Sequence, residues 1–172
     1  MSSRAEGDSH RGSHAEATTY NLLFVCTGNT CRSPMAAAIA EDMIARRGWH
    51  NVTVRSAGAN AGAGSPASAA AIDVAAEHGI DLSRHRSRPL TGELIDWADA
   101  IIVMSDWHAQ RIADLGGGAK VALATEFLSD ADHAAGIPDP IGLDTTVYRA
   151  TYAVLSDVVS GVLDRLEAIL AP

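Results

Sequence analysis

Asn21-Leu22-Leu23-Phe24-Val25-Cys26-Thr27-Gly28-Asn29-Thr30-Cys31-Arg32-Ser33-Pro34-Met35 is the stretch that decides the fold of this chain. Residues 21–25 form a short apolar run that reads as a strand. Residues 26–32 are mostly small, polar or turn-forming. Beyond them Met35, Ile39 and Met43 recur at fourfold spacing, which predicts a helix over 33–47. Ser33 can cap that helix, and Pro34 suits its first position. The sequence therefore runs from strand to tight loop to helix start.

Outward from this unit the alternation continues. Residues 52–56 are a second strand candidate. Residues 67–78 are alanine-rich and helical, with Ile72, Val74 and Ala75 on or near the buried side and Gly79 placed to end the helix. A short helix is expected over 90–97, a third strand over 100–104, a helix over 106–115 and a fourth strand over 119–123. The last helix is expected over 144–169. Its stripe is Tyr148, Thr151, Tyr152, Leu155, Val158, Val159, Val162 and Leu166, and Gly161 sits inside it at a modest propensity cost. Strands separated by helices imply crossover units. The expected fold is α/β, a three-layer sandwich with a four-stranded parallel sheet. In such sheets ligands bind at the carboxyl ends of the strands, so the exit of the first strand is a candidate site. Residues 57–71 are low in complexity and read as a flexible loop entering a helix.

Composition bounds the answer. The chain has 172 residues, 47% hydrophobic and 20% charged, which fits one globular domain. Residues 1–19 hold no apolar run and read as a disordered tail, leaving a single domain over 20–172. His10 and His14 in that tail read as solvated. The formal net charge of -8 argues against a nucleic-acid binder or a basic membrane-surface protein. No apolar run has the length of a signal or a membrane span. A cytoplasmic protein with free thiols is expected. Its two cysteines, Cys26 and Cys31, are too few for a disulfide framework.

Those two thiols share the loop after the first strand. A tight turn over 27–31 can aim its N–H groups inward as an anion nest. The helix start adds unpaired N–H groups and the positive dipole end. Arg32 can add bidentate bonds to phosphate oxygens. Cys26 would lie on the floor of this cradle, where such donors favour the thiolate, the nucleophilic form. A carboxylate must then protonate the leaving group and later activate water. Asp139, held between Pro138 and Pro140, is the candidate; Asp144 is the fallback and also a helix-cap candidate.

Cys26-Thr27-Gly28-Asn29-Thr30-Cys31-Arg32-Ser33-Pro34 resembles the phosphate-binding signature of the low-molecular-weight protein tyrosine phosphatase family. Ordered support comes from 55–58, 81–90, 98–104 and Asp139-Pro140, so the resemblance covers most of residues 21–170. It implies Cys26, Arg32 and Asp139 as catalytic residues. It implies phosphate binding by Thr27, Gly28, Asn29, Thr30, Cys31 and Arg32. Asn29, Ser33, Ser56 and His85 match positions that hold the loop in shape, and Ser33 is also placed to stabilise the thiolate as it leaves. The implied chemistry is two-step, with a cysteinyl-phosphate intermediate and neither metal nor cofactor. The implied partner is a phosphorylated protein, met by a monomer. Cys31 reads equally as a redox guard of Cys26 or as a small core thiol.

The chain is most similar to a bacterial branch of the family that removes phosphate from arginine. Residues 25–35, 89–94 and 139–144 leading to Tyr148 carry that similarity. Thr30 stands where tyrosine-specific relatives carry a bulkier aliphatic residue. Ile141 departs from the branch, which usually has an aromatic there. Residues 57–65 hold no aromatic either, and Trp49, Trp97 and Trp107 lie elsewhere in the chain. Thr30 and Ile141 are thus the specificity candidates, with phosphoarginine favoured and phosphotyrosine the alternative. Arsenate reduction would need further thiols, and no cysteine follows Cys31. A non-catalytic phosphate-binding module would leave Cys26, Arg32 and Asp139 without a joint purpose. A Cys26–His85 protease dyad is disfavoured by the anion nest. Two looser motifs are rejected. Residues 62–67 fit a dinucleotide pattern that Pro66 interrupts, and residues 116–120 lack the Gly-Lys-Ser/Thr core of a nucleotide loop.

Overall fold

The computed structural model describes residues 18–129 and 136–170. Residues 1–17, with His10 and His14, lie outside the described residues, and so does nearly all of the expected tail. Four strands form one sheet: β1 (Tyr20–Cys26), β2 (Val52–Gly58), β3 (Ala100–Val103) and β4 (Val121–Leu123). Their order is β2-β1-β3-β4 and every pairing is parallel. Among the described residues five α-helices accompany them: α1 (Arg32–Arg46), α2 (Ala69–Glu77), α3 (Gly92–Trp97), α4 (Asp106–Asp114) and α5 (Thr145–Leu170). The three-layer α/β architecture expected from the alternation is the one observed.

β1 is central and reads Leu22-Leu23-Phe24-Val25 because both of its faces are covered. All four side chains are fully buried. Leu22 and Phe24 join the core formed with α1, α2 and α5; Leu23 and Val25 join the core formed with α3 and α4. Each such side chain contributes about 1.5–3 kcal/mol on burial. The loop at the end of β1 is therefore anchored on a strand that cannot slip register without turning its apolar set outward. Met35 and Ile39 of α1 and the whole predicted stripe of α5 are buried as expected.

Element ends follow local chemistry. Ser68 accepts from the Ala71 N–H and starts α2; Thr91 accepts from the Leu94 N–H and starts α3. Gly79 follows α2 at φ 76°, as its position predicted. β4 starts two residues later than expected, since Gly118–Lys120 form a turn of 3-10 helix first. The low-complexity segment read as a flexible loop is hydrogen-bonded instead. Residues 57 and 58 belong to β2, and the Gly64 and Ser65 N–H groups donate to the carbonyl and hydroxyl of Ser87. Ser87 returns its N–H to the Ser65 carbonyl, and the Ser68 N–H donates to the Thr30 carbonyl. The small side chains that lower its complexity let this segment lie close against residues 87–88 and the loop after β1. Gly161 has a packing reason too: a Cβ there would lie 2.8 Å from the Phe127 carbonyl oxygen.

Candidate active site

The candidate site is the turn from β1 into α1. Asn29 is its keystone. It is fully buried and adopts φ 55°, the left-handed region that Asn tolerates better than most residues. Its side-chain amide donates to the Ser33 hydroxyl (2.8 Å) and to the Ser56 hydroxyl (2.9 Å). Its side-chain oxygen accepts the Arg88 N–H at 3.0 Å. The His85 ring donates through Nε2 to the Asn29 backbone carbonyl at 2.7 Å, and a carbonyl can only accept, so this nitrogen carries the hydrogen. Burial holds the His85 imidazole below its ordinary range, against the opposing pull of that hydrogen bond. The four residues matched to support positions, Asn29, Ser33, Ser56 and His85, are thus brought together around one turn.

Cys26 ends β1, is buried, and sits with its sulfur 2.9 Å from the Ser33 hydroxyl oxygen. Asn29 donates to that oxygen, and the Ser33 hydroxyl proton has two acceptors within reach, the Cys26 sulfur and, at 3.4 Å, the Ala57 carbonyl. This corrects one expectation. Ser33 and Pro34 are the second and third residues of α1 rather than its cap and first position; Cys31 takes the cap position and no side chain caps the helix. The opening N–H groups stay unclaimed by side chains, as an anion site requires.

Gly58 makes a second close approach. A Cβ there would lie 2.6 Å from the Thr27 carbonyl oxygen and 2.9 Å from the Asn29 nitrogen. Only glycine lets the end of β2 reach the loop this closely. The Ala59 and Asn60 N–H groups then donate to the Cys26 and Thr27 carbonyls at 2.8 and 2.9 Å. The Cys26 and Thr27 carbonyls are thus held from outside the loop.

Arg32 is buried and pairs with Asp139, Nη2 to Oδ2 at 3.3 Å, while the Asp139 side chain is 47% exposed. The other Asp139 oxygen accepts the Ile141 N–H at 3.3 Å. The carboxylate therefore hangs over the loop, half in solvent. Asp144, the fallback acid, accepts the Thr146 and Val147 N–H groups and caps α5. Ile141 is 62% exposed on the rim beyond Asp139. Cys31 is buried, with its sulfur 3.3 Å from the Tyr148 hydroxyl and 3.5 Å from that of Ser68. Burial, then the contact with Cys31, pushes the Tyr148 phenol up. Both cysteines are free. Among the described residues no group of three or more His, Cys, Asp or Glu could hold a metal.

One residue of the loop's support and one exposed neighbour of it are absent from the sequence reading of the site. His108 is 1% exposed and lies between the Thr27 hydroxyl (Nε2, 2.9 Å) and the Ser105 hydroxyl (Nδ1, 2.9 Å). Burial, with the Arg32 charge, pushes its imidazole down to about 4, against the pull of Asp139. It is neutral at pH 7, one nitrogen donating and the other accepting. Its signal was its place just past the carboxyl end of β3, next to the β1 exit. The other is Trp107, 53% exposed, with its ring 5.3 Å from that of His108. Trp49 and Trp97 are partly buried against the two cores, beneath Arg47 and Arg55 respectively.

A buried thiol, a buried guanidinium and an overhanging carboxylate at a helix start can bind a phosphoryl group and pass it to sulfur. Similarities to known proteins agree with this geometry. The chain is 41% identical over 150 residues to a protein-arginine-phosphatase of Geobacillus stearothermophilus, covering 86% of this chain and 97% of that protein. It is 33% identical over 137 residues to the low molecular weight protein-tyrosine-phosphatase Etp of Escherichia coli, covering 78% and 86%. The solved structure of the YwlE arginine phosphatase from Geobacillus stearothermophilus superposes with a TM-score of 0.77 at 39% identity, covering 87% of this chain and 94% of that one. The model of the family described as low molecular weight phosphotyrosine protein phosphatase matches residues 21–170, and the chain belongs to that family.

Proposed function

We propose that this protein is a cysteine-dependent protein phosphatase that hydrolyses phosphoarginine in proteins. One observation carries the chemistry: Cys26, Arg32 and Asp139 converge on one loop, with Ser33 at the Cys26 sulfur. In the first step the Cys26 thiolate attacks phosphorus. The bond from phosphorus to the leaving nitrogen breaks, and Asp139 gives that nitrogen a proton. In the second step water attacks the cysteinyl phosphate, Asp139 takes its proton, and the P–S bond breaks. The thiolate leaves onto the Ser33 hydroxyl, itself held by Asn29. The loop N–H groups of Thr27 to Arg32 and the Arg32 guanidinium bind the charge of the transferring group.

Phosphoarginine is favoured over phosphotyrosine on two grounds. The walls after β2 and after Pro140 offer Asn60 and Ile141 rather than rings. The Thr30 hydroxyl, which lies 3.7 Å from the Cys31 sulfur, is assigned to orient a phosphoguanidinium, and Asp139 to engage the guanidinium nitrogens. The similarity to an arginine phosphatase of Geobacillus stearothermophilus, over 86% of this chain, supports the same choice. The deciding experiment compares kcat/KM on phosphoarginine and phosphotyrosine peptides of equal flanking sequence. A preference for phosphoarginine is expected; a preference for phosphotyrosine would sink the substrate assignment and leave the phosphatase chemistry standing.

The same reading includes a single domain over 20–172, preceded by a tail over 1–19, working as a cytoplasmic monomer. Two buried free thiols support a reducing compartment. Among the described residues no helix is long and apolar enough to cross a membrane.

A further inference from the structure

Beside the phosphate loop, on the α4 side of the sheet, lies a cavity of about 400 Å³ lined by Ala59, Asn60, Trp107, Gln110, Arg111 and Asp114. That is the size of a small ligand pocket. It is continuous with the catalytic loop through two contacts. The Asn60 N–H donates to the Thr27 carbonyl, and Trp107 is bonded to His108, whose ring meets the Thr27 hydroxyl. Nothing in the proposed chemistry uses it.

Trp107 is the unusual wall. A tryptophan 53% exposed leaves a large apolar ring face in water. It stands next to a site whose two neighbouring loops supply no ring. Gln110 donates its amide to Asp114 at 2.9 Å, which leaves the Gln110 side-chain carbonyl to accept a peptide N–H. Asn60 adds a second side-chain amide across the cavity. The Trp107 ring face suits an apolar side chain, and the polar remainder of the lining, the two amides with Arg111 and Asp114, suits the backbone that bears it.

We propose that this cavity is a docking subsite for the substrate polypeptide. In it an apolar side chain one or two positions from the phosphorylated residue packs on Trp107, and its backbone meets Asn60 and Gln110. An extended chain advances about 3.3–3.6 Å per residue, so a near neighbour of the phosphorylated residue reaches a wall adjoining the loop. The idea rests on the reading that the site acts on phosphorylated proteins, and it holds for either phosphorylated residue.

The test pairs a substrate with no peptide against substrates that have one. Wild type, Trp107→Ala and Trp107→Phe are assayed on p-nitrophenyl phosphate, and on phosphoarginine and phosphotyrosine peptides carrying Leu or Ser at the flanking positions. Trp107→Ala is expected to leave p-nitrophenyl phosphate turnover unchanged, which also shows that the variant is folded. On the Leu peptides KM should rise about tenfold with kcat unchanged, and Trp107→Phe should restore most of the loss. The Leu-over-Ser preference of the wild type should vanish in Trp107→Ala. A parallel fall on p-nitrophenyl phosphate would make Trp107 a prop of the loop and overturn the proposal. So would peptide kinetics indifferent to Trp107. If the wild type prefers phosphotyrosine, the arginine assignment fails while the docking result is still read on that peptide. If it hydrolyses p-nitrophenyl phosphate and neither peptide, both readings fall.

Discussion

The floor of the site and its rim are built in opposite ways. On the floor Cys26, Asn29, Arg32, Ser33 and His108 are all buried, and each has a hydrogen-bonded or charged partner. Among the described residues no buried side-chain nitrogen or oxygen lacks a partner. On the rim Trp107 and Ile141 are each more than half exposed. A floor so fully satisfied has little freedom to change without losing the loop. A rim of exposed apolar groups can be exchanged at small cost to stability. On the proposed function, phosphoryl transfer draws on the floor and on the overhanging Asp139, and the choice of substrate draws on the rim.

The comparison can be broken by substitutions ranked by expected effect. Cys26→Ser should abolish turnover on every substrate, a loss of about 10⁴-fold or more, because no other group supplies the nucleophile. Residual rates near wild type by steady-state assay would remove the thiol from the mechanism. Asp139→Asn should lower kcat by about 10²–10³-fold, the usual scale of a lost general acid. Its effect should shrink on p-nitrophenyl phosphate, whose leaving group scarcely needs a proton. An equal loss on all leaving groups would mean that Asp139 acts through Arg32 alone.

His108 tests whether the floor is locked by neutral hydrogen bonds. Its folded value of about 4 lies below the ordinary 6.5, so the unfolded chain binds the extra proton first as pH falls. Stability is full above about 6.5 and declines down to about 4, by up to about 3 kcal/mol. Arg32 and Asp139 are the charges that face it, and His85 is shifted in the same direction. Urea unfolding from pH 7 to pH 4.5 should show a weaker decline in His108→Asn than in wild type. Identical slopes would place the acid-sensitive group elsewhere. The smallest effect is expected at Thr30. Thr30→Ile should change kcat on p-nitrophenyl phosphate little, while moving the phosphoarginine-to-phosphotyrosine ratio several-fold toward tyrosine. A collapse of both activities would place Thr30 with the floor.

Much of this was legible in the chain because it is local. The run Leu22–Val25, the turn residues after it and the stripe of α1 lie within about one crossover unit, and their order alone implies the parallel sheet. The candidate nucleophile and Arg32 follow from the same stretch. What could not be read is set by distant pairing. Asn29 meets partners 27, 56 and 59 positions away, and Thr27 meets His108 at a separation of 81. The resemblance carried Ser56 and His85 across those gaps; nothing carried His108. Ser33 was misread as a cap because a serine before proline at a helix start has that ordinary use. Only the position of the Cys26 sulfur shows where its hydroxyl turns. Chain order likewise hides that α4, and Trp107 with it, begins beside the end of β1.

The left-handed turn at Asn29 has a consequence for how activity is acquired and lost. Its clasp draws on β2, on residues 85–88 and on α1, while Ser68 at the start of α2 fixes the adjoining Thr30 carbonyl. Each of those segments must dock before the turn is held. The catalytic loop thus holds its shape only where all of those segments are docked, whereas each helix keeps its own backbone hydrogen bonds. Enzymatic competence therefore serves as a stricter gauge of the assembled native state than helical content does.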